Sequence, residues 1–234
     1  MQKQKEYIKK MQKYIFNIIV DKYKDYYLTG GTALEMYYHH RFSEDLDFFS
    51  QNYNTDVIAE IIKYTSDKTD FLFELTEEQV DKKFVPMQVY FVDIGNDAIL
   101  KVDFVKDYVA NKNKIQDGLH SLEDIYFRKI IAAIGFEKGN NATGSQINMG
   151  RQTAKDLFDI YYLSINYKSL VNFFFDNFAR DRIPALLCWY RAFNRMELRL
   201  ELNDLGIKED PKEVISYLDK EILEKLPDRL IEGV

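Results

Sequence analysis

The chain has 234 residues, 46% hydrophobic and 30% charged, a composition that excludes both a disordered segment and a membrane span as the explanation of the whole. Its net charge of −6 argues against coating nucleic acid through global charge, although a local basic patch stays open. The single cysteine, Cys188, rules out an internal disulfide and a cysteine-based zinc cage, and is expected to pack as a small hydrophobe.

In chain order, apolar residues at Tyr7, Ile8, Met11, Tyr14, Ile15, Ile18 and Ile19 predict an amphipathic helix over 3–20. Its apolar run is too short for a span and is followed by no small-residue cleavage site, so a cytoplasmic protein without a membrane partner is expected. Tyr26–Leu28 reads as a strand stopped by Gly30-Gly31, two of only ten glycines. A helix over 32–40, a strand over 46–49, a helix over 56–64 and a strand over 71–75 follow. Residues 84–94 and 98–105 read as strands joined at Gly95-Asn96, a hairpin dipeptide. Ser121 and Asp124 suit the start of a helix through Ile134. A Gly/Asn/Ser-rich stretch at 137–150 reads as an exposed loop. The sequon Asn141-Ala142-Thr143 carries no weight without a secretion signal. Helices are expected over 153–165, 170–178, 184–202 and 211–225. The fold class is therefore α+β, with a mixed sheet and flanking helices over 1–118 and a helical half over 119–234.

Asp45 and Asp47 are two apart, so on a strand both carboxylates share one face, while Leu46 and Phe48 take the other. Lys101 and Asp103 repeat that alternation between Leu100, Val102 and Phe104. If the two strands are neighbours, three carboxylates and a lysine converge, the donor set that a two-metal Mg²⁺ site for phosphoryl or nucleotidyl transfer requires. Asp-x-Asp alone equally describes a solvated strand face. Gly30-Gly31 lets backbone amides approach a phosphate at a helix N-terminus, with Thr32 as cap and donor. A ligand-free tight turn is the plainer alternative.

Leu28-Thr29-Gly30-Gly31-Thr32-Ala33-Leu34 followed by Arg41-Phe42-Ser43-Glu44-Asp45-Leu46-Asp47 resembles the signature of the AbiEii/AbiGii toxin family, nucleotidyltransferases of the DNA polymerase β-like superfamily. Lys101-Val102-Asp103 resembles the second family motif and Lys129 the lysine of the third. Arg151 with Lys155-Asp156-Leu157-Phe158-Asp159 is similar to the region leading into the fourth. The chain departs from the pattern at Ile134, where the family often has an arginine, and Arg151 is the nearest candidate for that role.

The resemblance implies a nucleotidyltransferase-type sheet and a nucleoside triphosphate cradled by Gly30, Gly31 and Thr32. It implies Mg²⁺ on Asp45, Asp47 and Asp103, with Asp103 completing the metal site or helping to activate the acceptor. Lys129 would contact the triphosphate, and Asp156 and Asp159 would form a second acidic pair. Arg41 and Ser43 would position the strand or the nucleotide. An RNA or tRNA-like acceptor and a cognate antitoxin belong to the same expectation. From the residues alone, Lys155 and Asp159 are equally an i,i+4 ion pair on a solvated helix. Transfer to a protein or small molecule stays open, as does an inactive nucleotide-binding or interaction module. Arg191, Arg195 and Arg199 fall at i, i+4, i+8 on the helix expected over 184–202. That stripe could hold an RNA backbone, or be a solvated face neutralised by acids such as Glu201. His39, His40 and His120 are expected to be surface or packing residues.

Overall fold

A computed structural model describes residues 2–81, 83–135, 138–140, 146–148 and 150–232. The chain separates into two compact units: residues 1–38 with 42–121, and residues 39–41 with 122–234. Among the described residues no helix is long and apolar enough to cross a membrane.

The first unit begins with α1 (Gln2–Lys22), whose 3-4 apolar spacing buries Ile15, Phe16, Ile19 and Val20. Strand β1 (Tyr27–Leu28), helix α2 (Gly30–Tyr38), strand β2 (Asp45–Ser50) and helix α3 (Thr55–Thr69) follow, then β3 (Leu72–Gln79), β4 (Met87–Asp93) and β5 (Ile99–Lys106). The strands form one five-stranded mixed sheet in the order β1-β2-β5-β4-β3. The pair β2–β5 is parallel; the other neighbours run antiparallel. The β4–β5 turn is wider than the dipeptide suggested, because Gly95, Asn96 and Asp97 all take positive φ. Period-two alternation sends Leu46, Phe48, Leu100, Val102 and Phe104 into the core, each fully buried. There Phe48 lies 5.5 Å from Phe104 and 6.4 Å from Phe16 of α1. The opposite face of the same strands carries the carboxylates.

The second unit packs α4 (Leu122–Ile134), α5 (Ala154–Asn166), α6 (Leu170–Asn177), α7 (Ile183–Arg191), α8 (Arg195–Asp204) and α9 (Pro211–Leu218). A π-helical stretch, Asp219–Lys225, continues α9 into α10 (Leu226–Glu232). The loop expected over 137–150 contains a two-stranded antiparallel ribbon, β6 (Lys138–Asn140) with β7 (Gln146–Asn148). The rest of it, apart from Gly150, lies outside the described residues, as does the sequon at 141–143.

Two expectations are corrected. The helix read over 184–202 is broken at 192–194, because Asn194 caps a new helix, its Oδ1 accepting from the amides of Met196 and Glu197. Cys188 is exposed rather than packed inside.

Phe104 is the ring shared by Phe48, Tyr26 and Tyr90. Phe104→Ala is expected to lower unfolding free energy by about 3–5 kcal/mol, read from urea denaturation.

Candidate active site

The register of β2 against β5 sets the chemistry of the first unit. Asp45 pairs with Lys101 and Asp47 with Asp103 across the parallel ladder. Partnered residues of neighbouring strands point to the same face at the strand spacing of about 4.8 Å. The neighbourhood anticipated from the alternation therefore exists. Asp103 is nearly buried, and burial raises its carboxyl above the ordinary carboxylate value even though the hydrogen-bonded Lys101 ammonium pulls it down. Lys101 donates to Oδ2; Oδ1 is buried and has no hydrogen-bond partner.

The glycine pair is packed against this face. Gly30 adopts φ +71°, a left-handed conformation that favours glycine, and a Cβ there would lie 3.9 Å from an Asp47 carboxylate oxygen. Helix α2 starts on the pair itself, not after it, so its first amides are those of the glycine turn. Thr32 has a different task from the one expected. It is buried within the first helical turn, and its hydroxyl donates to the Asp45 carbonyl at 2.5 Å while meeting the Ser43 hydroxyl at 2.7 Å. It ties α2 to the start of β2; as the third residue of a helix that begins at Gly30 it does not stand at the cap position, and its proton is committed to the Asp45 carbonyl rather than free for a phosphate. Ser43 is held further by Gln12 of α1, which donates to its carbonyl.

The donor chemistry suits a hard divalent cation. Three carboxylates share a face, and the partnerless Asp103 oxygen is a buried acceptor that a cation would satisfy. Among the described residues no group of three or more His, Cys, Asp or Glu side chains is arranged to hold a metal ion. The fit thus rests on shared face and donor type.

The remaining sequence-predicted residues assemble in the second unit as a buried charge network. Arg41 grips Asp159 with both arms of its guanidinium, Nε on Oδ1 at 2.7 Å and Nη2 on Oδ2 at 2.8 Å. The Lys129 ammonium bridges Asp159 and Asp156, at 2.7 Å to each. Arg151 reaches Asp156 through Nε at 2.6 Å and Nη2 at 2.9 Å. Arg151, the nearest candidate for the arginine absent at Ile134, thus pairs with Asp156.

Thr153 caps α5 and bonds the Asp156 carboxylate; His40 meets Asp159 at 2.7 Å and stacks on Phe158. Sequence reading missed both. A threonine three residues before Asp156 was the available signal for the cap, whereas nothing local marks His40. Burial pushes the Asp159 carboxyl up, but Lys129, Arg41 and the His40 hydrogen bond outweigh it and hold it well below the usual range. Asp156 is lowered against burial by Lys129 and Arg151. The i,i+4 pair with Lys155 is replaced by this network, because Asp159 is fully buried while Lys155 is exposed.

The arginine stripe does not exist as one helical face. Arg191 ends α7 and Arg195 begins α8. Arg195 pairs with Asp219 at 2.7 Å and lies over the Tyr190 ring at 4.3 Å. Arg191 and Arg199 are exposed. His120 is fully buried, packed on Tyr27.

Over residues 17–228 the chain matches the family described as nucleotidyl transferase AbiEii toxin, type IV TA system. Among solved structures it is similar to the crystal structure of JHP933 from Helicobacter pylori, at 20% identity and TM-score 0.60, covering 98% of this chain and 96% of that one. It is equally similar to the crystal structure of a putative nucleotidyltransferase from H. pylori, at 20% identity and TM-score 0.60, covering 98% and 99%. At that identity the likeness establishes the fold, the α+β class expected from the sequence. No curated protein matches the chain.

Lys129→Met removes the buried cation shared by two buried carboxylates and is expected to cost about 3–5 kcal/mol in urea denaturation, whereas Arg151→Ala, removing a largely exposed partner, costs about 1 kcal/mol or less. The folded Asp156 and Asp159 carboxyls lie below their unfolded values. Their stabilisation is therefore complete above the unfolded carboxylate pKa of about 4 and is lost as pH falls through the folded values. Acid titration followed by circular dichroism should show unfolding in that window, with a shallower pH slope for Asp159→Asn.

Proposed function

Because the chain belongs to the AbiEii nucleotidyl transferase toxin family of type IV toxin–antitoxin systems, we propose that it moves a nucleotide from a nucleoside triphosphate to a hydroxyl of an RNA acceptor, releasing pyrophosphate. The carrying observation is the register that sets Asp45, Asp47, Lys101 and Asp103 on one sheet face beside the Gly30-Gly31 turn. Each side chain has a distinct part. The amides that open α2 receive the terminal phosphates, where the helix dipole favours anions. Lys101 offsets the charge of its neighbouring carboxylates and of the bound phosphate.

Asp45, Asp47 and Asp103 would hold Mg²⁺, which when bound neutralises phosphate charge and activates the attacking oxygen. Asp103 faces the acceptor hydroxyl and takes its proton as the hydroxyl oxygen forms a bond to the α-phosphorus and the bond from that phosphorus to pyrophosphate breaks. The buried network of Lys129, Asp156 and Asp159 then has a supporting part, keeping α4, α5 and residues 39–41 of the second unit in one arrangement. A cognate antitoxin follows from the family's system, and a cytoplasmic site of action accords with it.

Incubation with each labelled triphosphate, Mg²⁺ and total RNA should transfer label to RNA, with EDTA stopping it. Asp45→Ala should lower the rate by about 10²–10³-fold, the scale on which losing one transition-state electrostatic group is felt. Transfer by the variant at the wild-type rate, or none by the wild type with any triphosphate, would refute the assignment.

A further inference from the structure

The carboxylate face continues past Asp103. The registers extend it in two rows across the sheet, Asp45–Lys101–Phe91–Glu74 and Asp47–Asp103–Val89–Glu77, with Ile99, Asp93 and Leu72 forming a third. Val89 is buried, but Phe91 is 42% exposed, Ile99 68% and Leu72 75%. On the other face of the same strands Tyr90, Val92, Leu100 and Val102 are all buried. A partly exposed aromatic ring thus stands one strand away from Lys101, on a mixed strip whose other exposed apolar side chains, Ile99 and Leu72, flank Asp93 in the next row.

Position and charge identify the occupant. The glycine turn follows β1 and would bring a Gly30 Cβ within 3.9 Å of Asp47, so the phosphate end lies on the β1–β2 side of the carboxylates, whereas Phe91 lies on the β4 side. In-line displacement brings the attacking oxygen from the side opposite the leaving group. With pyrophosphate leaving toward the glycine turn, the acceptor enters over β4. Glu74 beside Phe91, and Asp93 in the next row, repel phosphate, so an uncharged ring fits this strip better than a sugar–phosphate backbone.

We infer that Phe91 is the platform on which the terminal unpaired base of a nucleic-acid acceptor stacks, presenting its hydroxyl to Asp103. The inference rests on the nucleotidyl-transfer reading above. Base–aromatic stacking tolerates any base, and its loss corresponds to about 5–150-fold in affinity.

The test uses the full chain carrying Phe91→Ala or Phe91→Trp. Trp189 is the one native tryptophan and is buried, so a tryptophan at 91 adds a separate emission. Single-stranded oligoadenylate is expected to quench that emission at concentrations where ATP does not. Phe91→Ala should weaken oligoadenylate binding about 5–150-fold and raise the acceptor KM in the transfer assay by a similar factor. The triphosphate KM should move less than about twofold, and Phe91→Trp should restore the acceptor KM. Oligoadenylate binding unaffected by Phe91→Ala overturns the inference. A rise confined to the triphosphate KM also overturns it, assigning the ring to the incoming base instead. The titration needs no turnover. A chain that binds oligoadenylate through residue 91 yet transfers no nucleotide would therefore refute the proposed function while supporting the platform.

Discussion

Three carboxylates gathered on one face of adjacent parallel strands carry like charge, and the arrangement of the first unit follows from how that crowding is tolerated. Asp47 and Asp103 meet because β2 and β5 are neighbours in one register; a slip of one residue would exchange them with the core-facing Leu46, Phe48, Val102 and Phe104. The buried face therefore enforces the unfavourable one. Packing of Phe48, Phe104 and Phe16 holds the strands in the register that brings the carboxylates together. Lys101 supplies one positive charge within the set, and one oxygen of Asp103 remains without a partner.

The second unit solves the same problem differently. Asp156 and Asp159 are also buried, but Lys129, Arg41, Arg151, His40 and Thr153 surround them with donors. The protonation tendencies diverge accordingly. The satisfied pair is held below the ordinary carboxylate range, whereas Asp103 is raised above it. A carboxylate satisfied by its own protein contributes to stability; one left raised and under-partnered is available to an external cation or substrate. That contrast separates the Asp156 and Asp159 pair of α5 from Asp103 of β5.

Local features were legible along the chain wherever one physical rule dominated. Period-two alternation revealed the polar faces of β2 and β5, apolar spacing revealed α1 and α3, and a capping pair at Ser121 and Asp124 marked the start of α4. Longer-range effects were not. The helix over 184–202 kept its apolar periodicity across the break, so the competing cap at Asn194 was invisible to spacing and the arginine stripe drawn from it dissolved. Thr32 looked like a helix cap because a threonine after glycines often is one. Its real partners, Ser43 and the Asp45 carbonyl, lie eleven and thirteen residues away. His40 offered no metal-like spacing, and its partner is 119 residues on.

The sequence by itself determined the family, which the match over residues 17–228 shows, and the alternation that puts Asp45 with Asp47, and Lys101 with Asp103, on one face of its strand. Tertiary structure decided which of those charges answer one another. Alternation places a side chain on a face, but whether Arg41 serves a nucleotide or Asp159, and whether Lys129 stands free or bridges two aspartates, depends on contacts between residues about 27 to 118 positions apart. The reason is that electrostatic partnership is set by distance and burial in space, and neither quantity is encoded in the spacing of residues along a strand or helix.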